Sequence, residues 1–268
     1  MMDPSALIDP LFRLPFATGL LLACVLPLIG VLLMLRDEWL AALGLAHVAA
    51  AGALLSLAAG APAVLGGLGA ALGGGAAKGL LGARGNAAYA FMILGGWSAL
   101  LLIAANTALG DALGQAMVEG QLYVADRVDL AAAMTLALVA APALAWLTPR
   151  LLRARLFPRD EVANALPAHR WHLGFDLLAA AAMAIGTAAL GLMGAFALVF
   201  VPAWAAFRIG RHWRSTLVLS AGIGVLAYCT AFQLALKLDQ PFGPVLVAGL
   251  LGVAGILGLP GAVRGRHR

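Results

Sequence analysis

Charge is scarce in this 268-residue chain: Asp, Glu, Lys and Arg together make up 11%, against about a quarter in an ordinary soluble domain. With 63% hydrophobic residues and a mean hydropathy of +0.98, a water-soluble globule is excluded. Cysteine is confined to Cys24 and Cys229, both inside apolar runs. That rules out a disulfide framework and a CxxC metal site, and the two read as small core hydrophobes. The alternation of a lipid-facing barrel strand is missing. So is a P-loop, since Lys78 has no following Ser or Thr. The opening "MMDPSALIDPLFRLP" carries two aspartates where a secretory signal carries bases, so the first apolar segment is expected to be retained.

What is present is a series of runs without charge: residues 14–35, 39–77, 85–110, 130–149, 177–207, 215–236 and 240–263. Crossing a bilayer takes roughly 17–25 apolar residues as helix, and several runs are long enough for two crossings. Lipid leaves the backbone no alternative to helix once a barrel is excluded. The expected fold is all-α: one polytopic membrane domain over residues 1–268 with eight or nine transmembrane helices. Residues 172–207 must accommodate two short helices, one of them a candidate re-entrant segment.

The net charge of +5 does not point to nucleic acid, because the bases sit in short loops between spans. Lys78 with Arg84, the group Arg150, Arg153, Arg155, Arg159 and Arg170, the group Arg208, Arg211 and Arg214, and the terminal Arg264, Arg266 and Arg268 mark loops expected to face the cytoplasm. Arg36 joins them. The base-poor connections around Asp9, Glu119, Asp126 and Asp239 then face outward, with the C-terminus inside. Asp176, at the start of a span, is expected to offset the helix dipole. His169, His172 and His212 are expected in solvent or lipid.

Three segments invite a sharper reading. "GGLGAALGGGAAKG", residues 66–79, has no strand before it, and small residues at helical spacing mark close helix packing. The loop 150–170 is the longest inside connection. Acids after Pro158 and a stop at Pro167 predict a surface helix of about two turns. "DQPFGP", residues 239–244, predicts a tight outward turn.

His47 is the one ionisable side chain between Glu38 and Lys78. Three readings compete for it: a metal ligand, meeting its copy across a dimer axis to form a two-imidazole site; a neutral core histidine bonded to a carbonyl; or a proton relay. An ionisable group inside a membrane span is a functional hypothesis by default.

Four features, in order, resemble the membrane subunit of metal-ion ABC transporters, the zinc, manganese and iron importing permease family. They are the Ala46-His47 pair after an inside turn with Arg36; "AMVEGQLYVADRVDL", residues 116–130; the inside helix after Phe157; and "MGAFALVFVPAWAA", residues 193–206, followed by the DQPFGP turn. The resemblance implies a bacterial inner-membrane pore built from two copies of the chain, a homodimer surrounded by lipid. It also implies cytoplasmic ATPase subunits that hold the ATP and an extracytoplasmic metal-binding protein. The ATPase would dock on Phe157, Pro158, Arg159, Asp160, Glu161, Ala163, Asn164 and Leu166, and its closure would be transmitted from there to the spans. No cofactor is implied for the chain itself, which is expected to be a transport subunit and not an enzyme.

The sequence departs from the family pattern twice. Pro167, Ala168 and His169 stand where the family runs on through a glycine. The family's Gly-Asp-x-x-Ala-His reads here Ala42, Leu43, Gly44, Leu45, Ala46, His47, so Leu43 replaces the carboxylate. Candidate metal residues are His47, with Asp239 and Glu119 behind it. Zinc is expected ahead of manganese because imidazole remains and the hard oxygen is gone. The alternatives are an ATP-independent carrier or channel, and a permease paired with a second, non-identical subunit that supplies the carboxylate.

Overall fold

The computed structural model describes residues 10–80, 85–107, 120, 122–157, 159–164 and 166–258. Among them are ten α-helices: α1 (Pro10–Leu35), α2 (Leu40–Ala58), α3 (Ala63–Leu80), α4 (Asn86–Ala105), α5 (Arg127–Leu156), α6 (Asp160–Ala163), α7 (Ala168–Leu190), α8 (Leu192–Ile209), α9 (Trp213–Leu238) and α10 (Phe242–Gly258). A 3₁₀ turn, Leu122–Val124, precedes α5. No strand occurs among the described residues. Among the described residues eight helices are long and apolar enough to cross a membrane, and α10 is slightly shorter.

Residues 172–207 form neither a short pair nor a re-entrant loop. α7 and α8 are 23 and 18 residues long, and the shorter still spans about 27 Å at 1.5 Å per residue. Both fit because the joint between them is Gly191 alone, at φ +78°, a conformation that glycine adopts without a Cβ penalty.

α1, α2, α7 and α8 are the most enclosed helices, and α3, α4, α5 and α9 lie outside them. α2 packs on α3 and α4, α3 on α7, and α1 on α8, α9 and α5. Little hydrophobic force drives one helix onto another in lipid, so close approach depends on small residues. Gly30 of α1 lies against the Val199 carbonyl of α8, and Gly52 of α2 against Gly66 of α3. The glycine-dense stretch is therefore a packing face, as its spacing predicts.

Side-chain contacts sort the helix ends into two rims. At the basic rim, Asn86 at the start of α4 accepts from Leu40 N (3.1 Å) and donates to the Asp37 carbonyl (3.0 Å). There too Arg155, in the last turn of α5, meets Asp37 at 2.7 Å. At the opposite rim Tyr123 packs on Phe12 of α1, Phe232 of α9 and Phe242 of α10. The Tyr228 hydroxyl donates to the Phe16 carbonyl at 3.0 Å, the bond to a neighbouring helix expected of a lone polar group in a span. Cys24 and Cys229 are free, and Cys24 faces outward instead of lying in the core.

Candidate functional site

His47 lies in the third turn of α2 and is 5% exposed. Its Nδ1–H donates to the Leu43 carbonyl at 2.9 Å, and its ring meets Trp97 of α4 edge-on, centroids 5.9 Å apart. The chain brings α4 this close through Gly96, where a Cβ would lie 2.6 Å from the His47 carbonyl carbon. A carbonyl can only accept, so Nδ1 carries the proton in the neutral ring and the Nε2 lone pair is left over. The position of the missing carboxylate thus still serves the imidazole, through its backbone oxygen. The geometry is that of the neutral histidine bonded to a carbonyl, and it is equally the tautomer a metal ligand needs.

The other candidate ligands are not gathered around it. Asp239 is exposed, adopts φ +50°, and ends α9. Glu119 lies outside the described residues. Among the described residues no three His, Cys, Asp or Glu side chains stand together as a metal site.

The largest concentration of charge among the described residues is one that no single stretch of sequence brings together. Arg36 Nη2 meets Glu38 Oε2 at 2.7 Å, and Arg36 Nη1 meets Asp176 Oδ1 at 2.9 Å. Lys78 Nζ meets Glu38 Oε1 and Asp176 Oδ2, each at 3.0 Å. Two cations and two anions alternate in a closed, neutral ring, and no side chain in it is more than 10% exposed. The Arg36–Asp176 contact is one of charge alone, off hydrogen-bond alignment. Aromatic faces close over the cations: Arg36 lies 5.1 Å from the centroid of Phe175 and Lys78 5.1 Å from that of Tyr89.

Asp176 therefore does not cap a helix. It stands in the third turn of α7, past the reach of the dipole at the first turn, and its partners are Lys78 and Arg36. The ring was foreshadowed by its charges alone: buried charges occur in compensated sets, and these are two bases and two acids set against apolar runs.

A cavity of about 540 Å³ opens beside the ring, reached also by Arg155, Glu161 and His172. The segment beyond it is shorter than expected. α6 is a single turn, Asp160–Ala163. Leu166 N bonds back to the Glu161 carbonyl at 3.0 Å, and Pro167 biases the residue before it away from helix. Phe157 ends α5 and is exposed; Arg159 and Asn164 flank α6; Pro158 lies outside the described residues. Glu161 points inward, accepting from Trp171 Nε1 at 2.9 Å and meeting His172 Nε2 at 3.4 Å. His172 is thus partly buried beside a carboxylate and not simply solvated.

Long apolar helices packed around small residues, with a cavity lined by charged groups at one rim, are the architecture of a multi-pass membrane protein. The ABC 3 transport family matches residues 9–257, and the chain belongs to it: it is the membrane subunit of a metal-ion ABC transporter, whose ATP hydrolysis is carried by a separate ATPase subunit. Among the solved structures that share the fold are two. One is PsaBC from Streptococcus pneumoniae in complex with Fab, with TM-score 0.83 and 15% identity over 97% of this chain and 96% of that one. The other is an inward-facing conformation described as a metal-chelate type ABC transporter, with TM-score 0.72 and 18% identity over 96% and 89%. No curated protein matches the chain.

Proposed function

We infer that this permease forms the path of a bacterial inner-membrane importer for a divalent metal, zinc ahead of manganese, with His47 as the ligand on that path. The supporting observation is the bond from His47 Nδ1 to the Leu43 carbonyl. It orients a neutral imidazole with Nε2 available, and an imidazole without a carboxylate neighbour favours zinc. A single ligand per chain suits transient binding. Two copies of the chain would bring two imidazoles, with an extracytoplasmic metal-binding protein feeding the path. The ATPase docks on the segment from Phe157 to Leu166, and the basic rim and the C-terminus face the cytoplasm, a reading supported by the bases in those loops.

The test is zinc content in cells lacking their own zinc importer and carrying this permease with its ATPase and binding protein. Accumulation should collapse in His47→Ala at unchanged membrane amounts. Unchanged accumulation would return His47 to a packing role, and no accumulation by the unaltered protein would sink the metal reading. Leu43 favours one second reading, a pore shared with a non-identical subunit that carries the carboxylate. Differently tagged copies of this chain would then fail to copurify.

A further inference from the structure

Between the docking segment and the helix that carries His47 run two sets of polar contacts, joined through one face of α7. Glu161 of α6 holds Trp171 and His172 of α7. His172 and Asp176 are four residues apart, one above the other on one face of that helix. Asp176 is bound to Lys78 of α3 and Arg36 at the end of α1, and both are bound to Glu38. Glu38 in turn accepts from Ala41 N at 3.0 Å through its carbonyl, in the first turn of α2. His47 stands nine residues beyond Glu38, about 13 Å further along the helix.

We propose that this chain, from Glu161 through α7 to Asp176 and from Asp176 to Arg36 at the entry to α2, braced by Lys78 and Glu38, is the mechanical link through which movement of the docking segment reaches α2. Asp176 and Arg36 are then positioning residues for transport. The proposal rests on the docking reading of residues 157–166 and deepens it.

The physical ground is the cost of separation. If α7 moved while α1 to α3 stayed, charges no more than 10% exposed would be pulled from their partners, with only the cavity beside them to supply water. The ring therefore moves as one body with α7, and its far corner is fastened to the start of α2. An aliphatic contact of equal volume can slide, whereas alternating charges hold register. A role confined to stability makes a different prediction, because compact apolar packing replaces buried ion pairs without loss in many proteins.

Two double substitutions remove one cation and one anion each, so the ring stays neutral. Lys78→Met with Asp176→Asn leaves Arg36 paired with Glu38 and frees α7. Glu38→Gln with Lys78→Met leaves Arg36 paired with Asp176, so α7 remains tied to the chain entering α2. A third variant, Trp171→Phe with His172→Leu, releases Glu161 from α7 and leaves all four ring side chains in place.

The permease is reconstituted in liposomes with its ATPase and zinc-loaded binding protein, and zinc delivered per ATP hydrolysed is measured. The first and third variants should lose about tenfold in that ratio, within the range such networks carry, with ATP hydrolysis kept within about twofold. The second should keep most of it. Equal behaviour of the two ring variants, or a parallel fall of transport and hydrolysis in the third, would overturn the link. Failure of the unaltered permease to bind its ATPase would instead sink the docking reading, and the link with it.

Discussion

Lys78 and Asp176, 98 residues apart in the chain, meet at 3.0 Å where α3 packs on α7. Gly75, about one turn before Lys78, makes the approach possible: a Cβ there would lie 3.3 Å from the Asp176 carbonyl oxygen. The glycine run and the buried charge thus belong to one arrangement, in which a bare helix face brings the ammonium within reach of its acid.

Lys78→Met alone leaves two buried carboxylates to share Arg36. Removing one partner of a buried ion set costs about 3–5 kcal/mol. The variant should melt at a clearly lower temperature in detergent, and the second substitution Asp176→Asn should restore most of the loss. A variant as stable as the unaltered protein would show that water reaches the ring.

Gly96→Ala places a methyl group against the His47 backbone, where its Cβ would lie 2.6 Å from the carbonyl carbon and 2.8 Å from the His47 Cβ. Overpacking of this kind costs about 1–3 kcal/mol, and here the strain falls on the candidate ligand. Zinc uptake should drop more steeply than membrane protein level, while Gly95→Ala, which meets nothing within 4 Å, should leave both unchanged.

Asp126 caps α5. Its Oδ1 accepts from Val128 N at 2.7 Å and Asp129 N at 3.1 Å, and Asp129 Oδ2 accepts from Asp126 N at 3.1 Å. Asp126→Ala should cost about 1 kcal/mol, read as a lowered unfolding midpoint, and Asp126→Ser should recover most of it.

Tyr123 lies between spans, where burial pushes its phenol up to about 12. An unfolded tyrosine ionises near 10, so the folded state favours the neutral ring. The resulting stability is whole below pH 10 and is lost as pH rises toward 12. Tyr123→Phe should flatten the decline in melting temperature over that interval. Its hydroxyl has no hydrogen-bond partner among the described residues, so the same change should cost little at neutral pH. An equal alkaline decline in both proteins would show the phenol to be open to water.

The sequence by itself determined the class of fold and most of the spans. A bilayer demands long apolar helices whatever their partners, so composition and run length locate them. The helical fate of residues 66–79 and the packing role of their glycines were legible for the same reason. Three features were decided only by the tertiary structure. One is the joint at Gly191, where a single positive φ makes room for two full helices in a stretch that looked too short. Another is the single-turn length of α6, ended by a backbone bond from Leu166 to Glu161. The last is the ion ring, whose members come from the α1–α2 turn, α3 and α7. Each of those charges, read locally, is an ordinary residue near a helix end; only the packing of α1, α3 and α7, which takes the four largely out of solvent, obliges them to find one another.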